Sequence, residues 1–227
     1  MVSEQRDIKA IIFDLDGVLL NVCDRYYISY VKAFERNGVL KRIDKNSLIK
    51  MRRKGMSGLK IIKHLASDID EKALFEVDDL RKKIVDDDEL LRMDYPFPGV
   101  KTFLQSLRER NILLAILTLR SKQNAERQLK RLSLSQYFDA IVTKQNTSPL
   151  EDKYDGLMEI LRKFKVQPQN AIFVDDTEYG IKAGHRLGVI TVGVLSGLSN
   201  KCVLEKEMPH TILKDVTKLT VDRGLII

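Results

Sequence analysis

Ile11-Ile12-Phe13-Asp14-Leu15-Asp16-Gly17-Val18-Leu19 is the stretch on which the reading of this chain turns. An apolar run without polar alternation delivers two carboxylates, two residues apart, into a glycine. A run of that kind suits a strand covered on both faces. Ending a buried strand in two acids is costly unless the acids bind something. The candidates are a divalent cation and an electron-poor centre such as phosphorus.

Working outward, further short apolar runs lie at Ile8–Phe13, Ile112–Leu117, Ala140–Thr143, Ala171–Val174 and Val189–Val194. Helical spacing fills most of the gaps, over Val100–Arg110, Ser121–Leu132, Tyr154–Phe164 and Thr177–Leu187. Alternation of this kind predicts an α/β fold, a doubly wound, Rossmann-like three-layer sandwich on a parallel sheet. Between the first and second strands the alternation fails. Tyr26, Tyr27, Tyr30, Val31 and Phe34 recur at helical spacing, as do Leu59, Ile62, Leu65 and Ile69, and then Leu74, Val77, Leu80 and Ile84. Residues 20–95 therefore read as an all-helical insertion, and 1–19 with 96–227 as the sheet domain. Pro96-Phe97-Pro98-Gly99 marks the return. The tyrosine and leucine stripes read as helical core.

The chain has 227 residues, 44% hydrophobic and 31% charged, enough for one domain with an insertion or for two small domains. Its two cysteines, Cys23 and Cys202, are distant from each other and lack Cys/His neighbours at zinc spacing. No apolar run reaches transmembrane length, and residues 1–9 lack the apolar core of a signal peptide, so the expectation is a soluble, cytoplasmic protein with no membrane partner. The formal charge is +7, unevenly placed: residues 20–63 carry a net +9 and residues 64–95 a net −6. Either these are solvated helical faces of opposite sign, or they form a field that steers anionic substrates. Nucleic acid is a poor partner, since no basic stripe is interleaved with aromatics. His64, His185 and His210 show no ligand spacing.

In an open parallel sheet, ligands bind beyond the carboxyl ends of the strands. The polar residues found there are Asp14 and Asp16, then Thr118 and Arg120, then Lys153 in a longer loop, then Asp175 and Asp176. Four carboxylates on one edge call for a divalent cation, and ligands that are all oxygen favour magnesium.

These residues resemble, in order, the four motifs of the haloacid dehalogenase superfamily: Asp14-Leu15-Asp16-Gly17-Val18, Thr118, Lys153 and Asp175-Asp176-Thr177. Val174 to Gly184 is similar to the fourth motif of the phosphatase and β-phosphoglucomutase branch, and residues 20–95 to its helical cap. The resemblance implies a nucleophile at Asp14, forming an aspartyl-phosphate, and an acid/base at Asp16. It implies Mg2+ held by Asp14, the Asp16 backbone carbonyl, Asp175 and Asp176. It also implies phosphoryl contacts from Lys153 and Thr118. Dehalogenases of this fold lack an acid at the second position, so Asp16 points to a phosphate ester.

Three features depart from the pattern. Leu119-Arg120 follow Thr118 where Asn or Asp is common; Arg120 either forks onto a substrate anion or starts a helix in solvent. Tyr154 follows Lys153 where Pro is usual, and Lys144 is a poor substitute because it lies too soon after its strand. Gly180 stands where many phosphatases place an acid. In the loop Arg52-Arg53-Lys54-Gly55-Met56-Ser57-Gly58 the three cations, Arg53 and Lys54 among them, either contact a second anionic group on the substrate or form a solvated basic turn. The expected activity is a magnesium-dependent phosphatase of the superfamily acting on a small phosphorylated metabolite, phosphoglycolate-like or sugar-phosphate-like. Its rivals are a phosphomutase of the β-phosphoglucomutase type and a non-catalytic phosphate-binding regulatory protein. Oligomeric state is not read from the sequence, nor is the packing of the apolar tail Leu225-Ile226-Ile227.

Overall fold

In the computed structural model, residues 7–144, 148–222 and 225–226 are described. The chain runs β1 (Ala10–Phe13), β2 (Leu20–Asn21), α1 (Cys23–Arg36), α2 (Lys45–Arg53), α3 (Gly58–Leu65), α4 (Glu71–Ile84), α5 (Asp88–Leu91) and β3 (Tyr95–Pro96). It continues through α6 (Val100–Glu109), β4 (Leu113–Thr118), α7 (Lys122–Arg131), β5 (Ala140–Thr143), α8 (Pro149–Phe164) and β6 (Ala171–Asp175). The last elements are α9 (Glu178–Leu187), β7 (Ile190–Val194), α10 (Lys201–Glu205), β8 (Thr211–Leu213) and a hairpin of β9 (Val221–Asp222) with β10 (Leu225–Ile226).

Six parallel strands form one sheet in the order β5-β4-β1-β6-β7-β8. β1 is central, in register Phe13↔Ile116 with β4 and Phe13↔Val174 with β6. Alternate residues of β1, β4, β5 and β6 feed two separate cores. Ile11 and Phe13 pack with Leu104, Ile116, Leu129 and Val174 on one face. Ile12 packs with Ala115, Leu157, Ile160 and Phe173 on the other. That two-sided burial is why the strands read as unbroken apolar runs.

Helix starts are set by side chains accepting orphan backbone N–H groups. Ser121 caps α7, Ser148 caps α8 and Thr177 caps α9, each such cap contributing about 1 kcal/mol. Asp44, Ser57 and Asp70 do the same for α2, α3 and α4.

Between β2 and β3 the described residues are helical, with a third apolar core of Tyr30, Phe34, Leu48, Ile61, Ile62, Val77 and Ile84. Its two connections to the sheet are adjacent, because β2 and β3 pair antiparallel as Leu20↔Pro96 and Asn21↔Tyr95.

Several elements differ from the sequence reading, among them the two-residue strands β2 and β3 at the ends of the stretch 20–95 that reads as wholly helical. α2 carries only Leu48 and Ile49 as buried apolar residues, too few for a stripe. β8 has no fully buried residue and so lacks the apolar signature of the other strands. α8 begins at Pro149, five residues earlier than read, so Lys153 lies inside a helix and not in a loop.

Candidate functional site

β1, β4 and β6 end side by side, and the glycine turn after β1 lies beside them. Asp14 follows β1, its N–H bonded to Val174 O at 2.9 Å, and Thr118 closes β4. Asp175 closes β6 and Asp176 follows it. Ligand oxygens of Asp14, Asp175 and Asp176 lie within 4.8 Å of one another, and all three residues are buried. α8 supplies Lys153, itself 1% exposed. Its Nζ donates to Asp14 Oδ1 at 2.5 Å and to Leu117 O at 3.0 Å, lies 3.1 Å from Asp175 Oδ2, and sits over the Phe173 ring.

Each acid is fixed from behind. Thr177 donates its N–H and hydroxyl to Asp175 Oδ1 at 2.8 and 2.6 Å, and Leu198 N–H donates to Asp176 Oδ2 at 2.8 Å. Glycines make room for the carboxylates. Gly17 turns the chain at φ +82°, and a Cβ there would stand 2.7 Å from Asp176 Oδ2. A side chain at Gly180 would collide with the Asp175 carboxylate, which gives a steric reason for glycine at that position.

Burial, opposed by Lys153 and reinforced by the charges of Asp175 and Asp16, pushes the Asp14 carboxyl up to about 7. Burial followed by repulsion from Asp175 and Asp14 raises Asp176 well above the carboxylate range. For Lys153, burial alone would lower the ammonium, but Asp14 and Asp175 outweigh it and the shift is upward. Three buried acids against one cation, with Asp175 Oδ2 accepting no hydrogen bond, fit a divalent ion bound through oxygen.

Asp16 is placed differently. Its side chain is not one of that group of three acids and is held by two guanidiniums. Arg25 Nη2 donates to Oδ2 at 2.7 Å, Arg120 Nε to Oδ2 at 3.1 Å, and Arg120 Nη2 to Oδ1. Burial alone would raise its carboxyl; Arg120 and Arg25 win and hold it down at about 2. Behind the arginines lies Asp94, accepting from Arg25 Nε at 3.0 Å, Arg120 Nη2 at 2.6 Å and Gln128 Nε2 at 3.2 Å. Arg120 is therefore neither solvated nor a helix start. Ser121 caps the following helix, and Arg120 is buried in an ionic bracket.

Sequence reasoning missed Arg25 and Asp94. Arg25 lies on the helical face opposite the tyrosine stripe, and Asp94 is one acid among many in the acidic half of the insertion. The pairing of β2 with β3 draws position 94 back toward position 25, and local sequence carries no trace of that.

A cavity of about 280 Å3 joins these groups. From the sheet side it is walled by Asp14, Asp16, Thr118, Arg120, Lys153 and Asp176; from the insertion by Arg25, Tyr26, Arg52 and Arg81. Arg53 and Lys54 are absent from that wall. Arg53 Nε donates to Gly197 O at 3.1 Å, and exposed Lys54 ends α2, so the neighbour Arg52 takes the facing position. Lys144 is exposed and lies outside the site. His185 and His210 gather on Thr191, away from this cavity, and His64 is exposed.

Residues 11–194 match the family model described as haloacid dehalogenase-like hydrolase. Among curated proteins, the chain is 27% identical over 201 residues to a phosphorylated carbohydrates phosphatase of Thermotoga maritima, covering 87% of this chain and 90% of that one. It is 24% identical over 222 residues to the pyrophosphatase PpaX of Bacillus thuringiensis, covering 93% and 94%. A solved haloacid dehalogenase-like hydrolase of Streptococcus pneumoniae has the same fold, with TM-score 0.73 over 92% of this chain and 95% of that one at 20% identity. A family match across four-fifths of the sequence, together with the shared fold, leads to one conclusion: this chain belongs to the haloacid dehalogenase-like hydrolases.

Proposed function

We propose that the protein is a magnesium-dependent phosphatase acting on a small phosphorylated metabolite. The observation that carries this reading is Lys153 Nζ set between Asp14 and Asp175, with Asp176 beside them, at the carboxyl edge of the sheet. An ammonium and a cation site flanking a buried carboxylate suit attack on phosphorus by that carboxylate.

In this reading an Asp14 oxygen attacks the phosphorus, the ester P–O bond breaks, and Asp16 gives a proton to the departing oxygen. Water then attacks the aspartyl-phosphate, releasing phosphate and restoring Asp14, while Asp16 takes the water's proton. Thr118 and Lys153 donate to phosphoryl oxygens. Asp14, the Asp16 backbone carbonyl, Asp175 and Asp176 would hold Mg2+, which when bound supplies Lewis-acid neutralisation of phosphoryl charge. Arg25 and Arg120 hold Asp16 ionised, so a guanidinium contact must open and Asp16 must take up a proton before it can serve a leaving group. Residues 20–95 act as a cap on the 1–19 and 96–227 domain, and the β2–β3 ribbon is where such a movement pivots.

Several observations support the reading over its rivals. The contact of Lys153 with Asp14, beside Asp175 and Asp176, favours chemistry over a regulatory protein without it. No described helix is long and apolar enough to cross a membrane. The test is hydrolysis of p-nitrophenyl phosphate with and without magnesium. Turnover should require the metal and vanish in Asp14→Asn, which should unfold like wild type. Full activity in that variant removes Asp14 as nucleophile. Assay of hexose-phosphate isomerisation with a bisphosphate activator separates a mutase from a phosphatase.

A further inference from the structure

The loop between β7 and α10 is built into the acid cluster. Ser196 Oγ donates to Gly17 O at 2.7 Å, and a Cβ at Gly17 would stand 2.9 Å from Gly197 Cα. The peptide that joins Gly197 to Leu198 is held at both ends. Its N–H, on Leu198, donates to Asp176 Oδ2 at 2.8 Å. Its carbonyl, on Gly197, accepts from Arg53 Nε at 3.1 Å. Arg53 belongs to the helical insertion, as the last residue of α2. The same surfaces meet elsewhere. Leu198 packs against both the sheet core and the insertion core, and a Cβ at Gly55 would stand 3.8 Å from Val203 Cγ2 on α10.

A trans peptide is a rigid plane whose C=O and N–H point opposite ways, so fixing the oxygen fixes the direction of the N–H. A cationic donor on the oxygen also polarises the amide and strengthens the bond that its N–H gives. We propose that Arg53 is a positioning residue for the metal site: it acts through the Gly197–Leu198 peptide on Asp176, so that docking of the insertion and magnesium affinity are linked. The proposal takes Asp176 as a metal ligand from the phosphatase reading and goes beyond that reading by tying metal affinity to the insertion. The two states differ in one bond. With the insertion docked, Arg53 holds the Gly197 carbonyl; with it lifted, that carbonyl turns to water. Linkage is reciprocal, so bound metal favours the docked state by the same factor.

The sign of the effect separates this relay from simple charge. Deleting a cation near a dication site tightens the metal on Coulomb grounds, whereas the relay predicts that deleting Arg53 weakens it. Lys54, exposed and outside the cavity wall, is the charge control. Magnesium binding to the full metal-free chain is measured by calorimetry for wild type, Arg53→Met, Arg53→Lys and Lys54→Met. Methionine keeps an apolar stem at each position, and thermal unfolding checks each variant's fold. Exchange of the Leu198 amide is followed by NMR, and p-nitrophenyl phosphate hydrolysis in parallel. Arg53→Met should bind magnesium about 5- to 10-fold more weakly and exchange the Leu198 amide faster by a similar factor. Arg53→Lys, which keeps a cationic donor, should recover part of both losses, and Lys54→Met should bind magnesium at least as tightly as wild type. Unchanged or raised affinity in Arg53→Met overturns the relay, as does an equal weakening in Lys54→Met. If wild type turns over and Arg53→Met keeps its magnesium affinity, the relay falls and the phosphatase reading stands. If nothing is turned over but magnesium affinity and Leu198 exchange still follow Arg53, the phosphatase reading falls and the relay stands.

Discussion

Asp94 Oδ2 accepts a hydrogen bond from Arg120 Nη2 at 2.6 Å, with side-chain exposures of 0% and 3%. The carboxylate's other oxygen takes Arg25 Nε at 3.0 Å, so one buried acid aims both arginines that hold Asp16. Removing it leaves two buried guanidiniums short of charge. Asp94→Ala should cost about 3 kcal/mol or more in denaturant unfolding. It should also reduce turnover of an alkyl phosphate more than that of p-nitrophenyl phosphate, since only the former needs a well-placed acid. Equal losses on both would make Asp94 a purely structural residue.

Asp16 itself gives the same contrast more sharply. Asp16→Asn should lower kcat on alkyl phosphates about 10²–10⁴-fold, the usual contribution of a general acid. On p-nitrophenyl phosphate the loss should be much smaller, because nitrophenolate leaves unprotonated. A flat loss across leaving groups would remove Asp16 from the acid role.

The shifted acids set opposite pH trends. Asp14 is raised from 3.8 to about 7, so the folded metal-free protein holds a proton that the unfolded chain has released. The stability this contributes is full below about pH 4 and is lost as pH rises through about 7. Asp16, lowered from 3.8 to about 2, contributes stability that is present above its unfolded value and lost as pH falls toward 2. Thermal unfolding without metal should therefore show weakening between pH 5 and pH 8, and magnesium should raise the midpoint more at pH 8 than at pH 5. A magnesium effect that shrinks with rising pH would contradict the assignment.

Gly197 is a steric test of the acid cluster. A Cβ at this position collides with the Asp176 carboxylate, whose Oδ2 accepts from the N–H of the adjacent Leu198. Gly197→Ala should leave the sheet folded while weakening magnesium binding about tenfold or more by calorimetry, consistent with the cost of disturbing a ligand's supporting contacts. Unchanged affinity would mean that Asp176 is not a ligand.

Much of the site was legible because strand ends are. Asp14, Thr118, Asp175 and Asp176 each terminate an apolar run, and the sheet rule alone places them on one edge. Lys153 falls under the same rule as a loop residue, but that loop is the first part of a helix that begins at Pro149 and not at Tyr154. The bracket around Asp16 was beyond reach for a different reason. Arg25 and Asp94 are 69 residues apart and meet only because Leu20 pairs with Pro96. A run of three cations in sequence does not reveal which one a helix end turns inward; the end of α2 presents Arg52 to the cavity, and not Arg53 or Lys54.

The adjacent entry and exit of the helical insertion have a bearing on engineering. Because β2 and β3 lie side by side, residues 22–94 can be exchanged for a helical insert of another size without stretching the sheet or lengthening a closing loop. Such a graft would nonetheless strip Asp16 of Arg25 and leave Arg120 without Asp94. A functional chimera would therefore need its crossover points moved inward, keeping positions 25 and 94 as native while everything between them is replaced.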